Sequence, residues 1–266
     1  MLASERRARA RPGDGTSPGV QTVTRALAVL DALARSPGSG LPDLARQLNL
    51  HPSTARRLLT VLEANGYVRL DPPGYTLGFR LVELAGHALN HTDLVRHSLS
   101  ELDRMRDRLR LNANLAVLAE GDVLHLAYAV RSDTPRYYTA IGRRAVAHCT
   151  ALGKVLLSAQ PRERVHETVE RFGWRPYTPH SIQDLPRLDR ELDQIATLGY
   201  AVDREERKPG SGCLAAPVRD RSRRVVAAIS VSGTLAAIER IGLERIQREV
   251  MEHARQISAK LGCLDD

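Results

Sequence analysis

Residues 52–65 read as one helix with two opposite stripes, and no other segment limits the fold as sharply. Ala55, Leu58, Leu59 and Leu62 fall at i, i+3, i+4 and i+7 on one side. Ser53, Arg56, Arg57 and Thr60 repeat that spacing on the other side, with Thr54 beside them. The apolar stripe must be covered by neighbouring elements, and the flanking sequence supplies them. Residues 21–35 carry Val23, Ala26, Leu27, Leu30 and Leu33 or Ala34 at helical spacing and close at Ser36-Pro37-Gly38. A short helix starts at Pro42-Asp43 and offers Leu44, Ala45 and Leu48, followed by the turn Asn49-Leu50-His51. Gly66 ends the third helix. Residues 67–70 and 75–77 then flank Asp71-Pro72-Pro73-Gly74 as a hairpin. Three short helices and a hairpin predict a winged helix-turn-helix over 20–78.

The outer stripe suits the major groove of double-stranded DNA. Arg56 and Arg57 can pair with guanine edges, while Ser53, Thr54 and Thr60 reach bases or phosphates. The wing would bring Arg69 and Tyr75 to the backbone, and Arg25, early in the first helix, would reach another phosphate. A charged outer face on an isolated helix is normally just solvated. Local charge favours the groove. Residues 1–80 hold 11 Arg and 6 acids, whereas the rest of this chain of net charge +8 is nearly balanced. Residues 1–19, with Arg6, Arg7, Arg9 and Arg11, read as a disordered basic tail.

Beyond the wing, 79–92 reads as a linker helix and 94–111 as another helix. Strands are predicted at 115–118, 123–130, 137–141, 200–203, 213–219 and 224–232. Helices are predicted at 151–159, 162–172, 185–198 and 238–261. This mixture implies an α+β chain whose residues 93–266 form an antiparallel-sheet domain with separate helices. Three cysteines without a CxxC spacing argue against a disulfide framework or a zinc site, and no cofactor is expected. No apolar run suits a signal peptide or a membrane span, so a cytoplasmic, nucleoid-associated protein is expected.

Within 225–232, Ser230 and Ser232 share one face of an otherwise apolar strand. Buried there, the hydroxyls need partners, which a polar ligand or the protein itself could supply. Thr150 and Ala151 open a helix whose first N–H groups suit a carboxylate. Asp203 reads either as an acceptor for a ligand hydroxyl or as half of a surface ion pair. Cys213 reads as a small wall residue, and Lys154 as solvated. His148 and Cys149 are adjacent, so their side chains diverge and do not form a dyad. No nucleophile elbow, metal constellation or phosphate loop suggests an enzyme.

In order along the chain, the segments 22–30, 41–45, 53–59 and 62–68 resemble the IclR family of bacterial transcriptional regulators. So do His148-Cys149-Thr150-Ala151-Leu152-Gly153-Lys154 and the segments 199–206, 212–220 and 227–233. The resemblance covers about 20–264. It implies a homodimer or a dimer of dimers on a palindromic operator, with a small effector, often an organic acid, in a GAF/PAS-like effector-binding and oligomerisation domain over 93–266. It also implies effector contacts at Asp203, Cys213, Ser230 and Ser232 and at the Thr150–Ala151 junction. The segment Arg136 to Arg144 is more basic and aromatic than the family pattern, which bears on the effector's identity.

Overall fold

A computed structural model describes residues 18–90, 92–131 and 141–264. The expected tail at 1–19 and strand at 137–141 fall outside them, except for Pro18, Gly19 and Ile141. The chain forms two compact units that meet between Leu89 and Asn90.

The N-terminal unit contains α1 (Pro18–Arg35), α2 (Leu41–Gln47), α3 (Pro52–Ala64), the hairpin β1 (Val68–Asp71) and β2 (Gly74–Leu77), and α4 (Arg80–Asn90). Helix α1 therefore starts ahead of residue 21, with Pro18 at a position that needs no amide donor. Its buried face differs in part from the expected one. Leu33 enters the core as expected, joined by Val29 and Ala32, with Leu44, Leu58, Leu59, Leu62 and Val68, and Ala26 and Leu30 pack against it. Val23 and Leu27 are 59% and 54% exposed and do not join it. The β1–β2 pairing runs from Val68↔Leu77 to Asp71↔Gly74. Ser39 bridges Tyr75, and the Tyr75 N–H donates to the Ser39 carbonyl over 2.9 Å, fixing the wing to the α1–α2 loop.

The C-terminal unit is built on an antiparallel sheet of order β5-β4-β3-β8-β7-β6 among the described residues. Its strands are β3 (Asn112–Ala119), β4 (Asp122–Ala129), β5 (Arg144–Ala145), β6 (Ala201–Arg204), β7 (Ser211–Arg219) and β8 (Val225–Thr234). Helices α5 (Asp93–Leu109) and α10 (Leu243–Lys260) pack on one face, and α6 (Ala151–Ser158) on the other, backed by α8 (Leu185–Leu198). Helix α7 (Arg162–Phe172) adds Val165 and Val169 to the α6-side core, to which the sheet contributes Ala116, Val123, Ala145, Ala201, Ala215 and Ala228. Small residues on the strands let α6 sit close.

The expected single helix at 238–261 is instead two, α9 (Leu235–Ile241) and α10, because Gly242 lies at φ 89 and breaks the helical path. Thr234 starts α9, its hydroxyl accepting from the Ala237 N–H. Between α5 and α10 the Glu101 carboxylate is buried, 2.8 Å from His253 Nδ1 and 2.6 Å from Lys260 Nζ. Burial opposes its charge, but Lys260 and His253, with Arg104 at 2.9 Å, outweigh burial and hold its pKa below the usual carboxylate value.

Candidate DNA interface and effector site

On α3 the two stripes separate cleanly. Ala55, Leu58, Leu59 and Leu62 are buried, while Ser53, Arg56, Arg57 and Thr60 are exposed and Thr54 is half-buried. His51 caps the helix, its Nδ1 accepting from the Ser53 N–H at 3.3 Å and lying 2.7 Å from the Ser53 hydroxyl. Ser53 is thus partly engaged in starting the helix. Arg56 and Arg57 make no ion pair among the described residues, which leaves both forks open. The wing residues stand differently. Arg69 pairs with Asp71 at 2.9 Å and stacks 4.5 Å over the Phe79 ring, so part of its hydrogen-bonding capacity is used within the unit. Tyr75 packs against the core beside the Ser39 bridge rather than standing clear of the surface. Arg25 is half-buried on α1.

On the sheet, pairing register assembles the expected effector residues on the α6 face. Asp203 opposes Cys213, and Cys213 opposes Ser232. One step along, Ala215 opposes Ser230, which opposes Asn114. Asn114 was not anticipated. Its Nδ2 donates to Ser230 Oγ at 3.2 Å and to Ser232 Oγ at 3.4 Å. Thr150 caps α6: its hydroxyl accepts from the Gly153 N–H and donates to the Val146 carbonyl. Ala151 follows, fully buried. Gly153 permits this junction, since a Cβ there would stand 2.2 Å from the Ala147 carbonyl oxygen.

Two readings are corrected. Lys154 is not solvated. It is completely buried, its Nζ donating to Glu191, to Glu206 at 2.5 Å and to the Val202 carbonyl at 2.7 Å. The acidic partners lie 37 and 52 residues away in sequence, which hides the pairing from any local pattern. Asp203 forms no surface ion pair either. It is buried and accepts from the Glu206 N–H at 2.8 Å, closing the turn that brings Glu206 to Lys154.

Burial pushes the Asp203 carboxyl up to about 6, against the pull of the turn N–H and of Lys154. A carboxyl raised in the folded state favours folding while protonated. That contribution is complete below the unfolded value and is lost as pH rises through about 6. Asp203→Asn keeps an acceptor for the turn and removes the buried charge. The stability of the variant, read by thermal unfolding, should exceed wild type by about 3 kcal/mol above this window, with the gap closing as pH falls through it. A gap independent of pH would contradict the assignment.

The adjacent His148 and Cys149 cannot act as a thiol catalyst. Burial lowers His148 to about 4 and raises Cys149 to about 12, so both are neutral near pH 7. Among the described residues no group of His, Cys, Asp and Glu could hold a metal ion, and no helix is long and apolar enough to cross a membrane.

Comparison with known proteins bears on both units. The profile described as the IclR helix-turn-helix domain matches residues 22–72. The profile described as Bacterial transcriptional regulator IclR C-terminal matches residues 86–259. The chain belongs to the IclR family. It is 31% identical over 257 residues to the HTH-type transcriptional regulator KdgR of Escherichia coli (strain K12), spanning 95% of this chain and 97% of that protein. The crystal structure of an IclR transcriptional regulator from Alicyclobacillus acidocaldarius superposes with a TM-score of 0.79 at 28% identity, covering 91% of this chain and 99% of that one. An IclR homolog from Microbacterium hydrocarbonoxydans, solved with 4-hydroxybenzoate, gives a TM-score of 0.78 at 25% identity over 90% of this chain and 98% of that one. The family relatives are transcription regulators, not enzymes, and the N-terminal unit is accordingly a DNA-binding helix-turn-helix.

Proposed function

We propose that this IclR-family regulator binds a palindromic operator as a homodimer or a dimer of dimers, and that a small organic acid controls that binding. It works in the cytoplasm on the nucleoid. Residues 20–78 form the reading domain, 79–92 a linker helix, and 93–266 the sensing and oligomerisation domain. The observation that carries the DNA reading is the open pair Arg56 and Arg57, exposed on a helix whose opposite side is locked in the core. Thr54, Thr60 and Arg25 would add contacts to bases or phosphates, and Arg69 and Tyr75 a weaker contribution from the wing. Assembly is supported by α4, which buries none of its side chains and leaves Val82 at 66% exposure. An amphipathic helix of 11 residues is marginal without something to cover it. The acid is supported by the α6 junction at Thr150 and Ala151, by the hydroxyls of Ser230 and Ser232, and by the bound 4-hydroxybenzoate of the Microbacterium homolog.

The test is binding to the DNA upstream of the protein's own gene. Arg56→Ala and Arg57→Ala should each weaken it by about 1–3 kcal/mol, roughly 5- to 150-fold, and relax sequence preference. Wild-type affinity and preference in both variants would exclude α3 as the reading helix. Operator release on adding a carboxylic acid, but not a neutral sugar, would support the effector class.

A further inference from the structure

Strand β4 does not alternate regularly. Its pairing with β3 shifts between Leu115↔Ala127 and Ala116↔His125, so one extra residue is accommodated in β4. The shift has a directional effect. Without it, His125 and Tyr128, three residues apart, would point to opposite faces. With it, His125 opposes Ala116 and Tyr128 opposes Asn114, and both strand partners belong to the α6 face. The two rings meet there, centroids 5.0 Å apart and 18° from parallel. Both residues are half-buried, and His125 Nδ1 has no hydrogen-bond partner among the described residues. Burial and the neighbouring Arg143 charge lower the imidazole to about 4, so it is neutral near pH 7.

The polar half of the row also has a direction. Asn114 offers two amide hydrogens, and it gives them to the two serine oxygens. Each serine therefore accepts from Asn114. Ser230 is fully buried and shares a further hydrogen bond with Cys213, whereas half-buried Ser232 keeps its O–H to donate. Such a donor suits a carboxylate and not a ligand that must itself donate. Burial keeps the Cys213 thiol, up to about 12, protonated beside them as a neutral wall. Tyr128 and Ser230 flank Asn114 on either side, two strand spacings apart, about 10 Å.

We propose that the effector site runs across β8, β3 and β4, from the Ser232 hydroxyl set by Asn114 to the stacked His125–Tyr128 platform, and that it selects a planar, ring-bearing carboxylate. This rests on the effector reading above. The carboxylate accepts from the Ser232 O–H, and the ring lies against the imidazole and phenol. Asn114 is a positioning residue: it fixes which way that hydroxyl donates.

The experiment is calorimetric titration of the full-length protein with benzoate, with cyclohexanecarboxylate, which has the same charge and similar size but a puckered ring, and with acetate. Benzoate should bind about three- to tenfold more tightly than cyclohexanecarboxylate, the range expected for ring stacking. Tyr128→Leu should erase that preference and Tyr128→Phe should keep it. Asn114→Asp, which places acceptors where the donors were, should weaken all three acids together, while leaving whatever benzoate preference remains. Equal binding of the planar and puckered acids would overturn the platform and leave the effector reading intact. Failure of any carboxylate to bind, with the operator still bound, would overturn both.

Discussion

Replacing Lys154 by Met is expected to remove about 3–5 kcal/mol from the stability of the C-terminal unit. The ammonium is fully enclosed and joins three pieces of chain: Glu191 on α8, Glu206 after β6, and the Val202 carbonyl within β6. Methionine fills most of the volume but leaves two carboxylates and a carbonyl facing one another without a cation. Glu206 is the vulnerable member. Burial already pushes it up to about 7 despite the Lys154 attraction, and its second oxygen has no hydrogen-bond partner among the described residues. Urea denaturation followed by circular dichroism reads the loss as a lower midpoint at unchanged slope. The double variant Lys154→Met, Glu206→Met should recover part of it, since removing both charges leaves less buried charge uncompensated. A single variant as stable as wild type would show that the enclosed cation contributes nothing.

Gly78→Ala is expected to disable the N-terminal unit with almost no change in composition. A Cβ at Gly78 would lie 2.0 Å from the Gly66 carbonyl oxygen and 2.8 Å from the carbonyl carbons of Gly66 and Tyr67. All three are backbone atoms, so no rotamer change relieves the contact. The strand end must move away from the end of α3, breaking the Gly78 N–H to Tyr67 carbonyl bond of 2.8 Å. Overpacking of this kind costs about 3 kcal/mol, a large fraction for a unit with so few enclosed side chains. Operator affinity should fall at least tenfold, while the C-terminal unfolding transition stays where it is. Gly86→Ala is the control. Nothing lies within 4 Å of its Cβ position, and a helix-interior alanine should leave stability equal or slightly higher. Wild-type operator affinity for Gly78→Ala would mean that the wing is not needed in this position.

The sequence was most informative where local spacing and tertiary packing demand the same thing. Helix α3 is the clearest case, because a stripe of Leu on one side and Arg on the other leaves one orientation. Helices α7 and α8 were equally readable from their periodicity and caps, with Asp184 accepting from the Arg187 N–H at the start of α8. Where a long-range partner decides, local pattern was misleading. Val23 and Leu27 repeat helically, yet the rest of the unit packs on the adjacent side of α1. Leu115 was legible as a strand residue, but Asn112 and Asn114 resemble a turn until β8 is placed beside them. The serines could be assigned a common face from alternation alone. Their shared donor could not, because it comes from a strand 116 residues earlier for Ser230. A β-bulge likewise leaves no mark in composition, so the convergence of His125 and Tyr128 became visible only with the register.

Among the described residues the large sheet ends at β6, a strand of four residues. It stops at Glu205, whose backbone turns into the left-handed region at φ 61, and the Val202 carbonyl within it is already held by Lys154. An incoming strand from another chain would find little rim to pair with, and exposed Arg204 would oppose it. At this edge the sheet gives a second copy of the chain little backbone to extend.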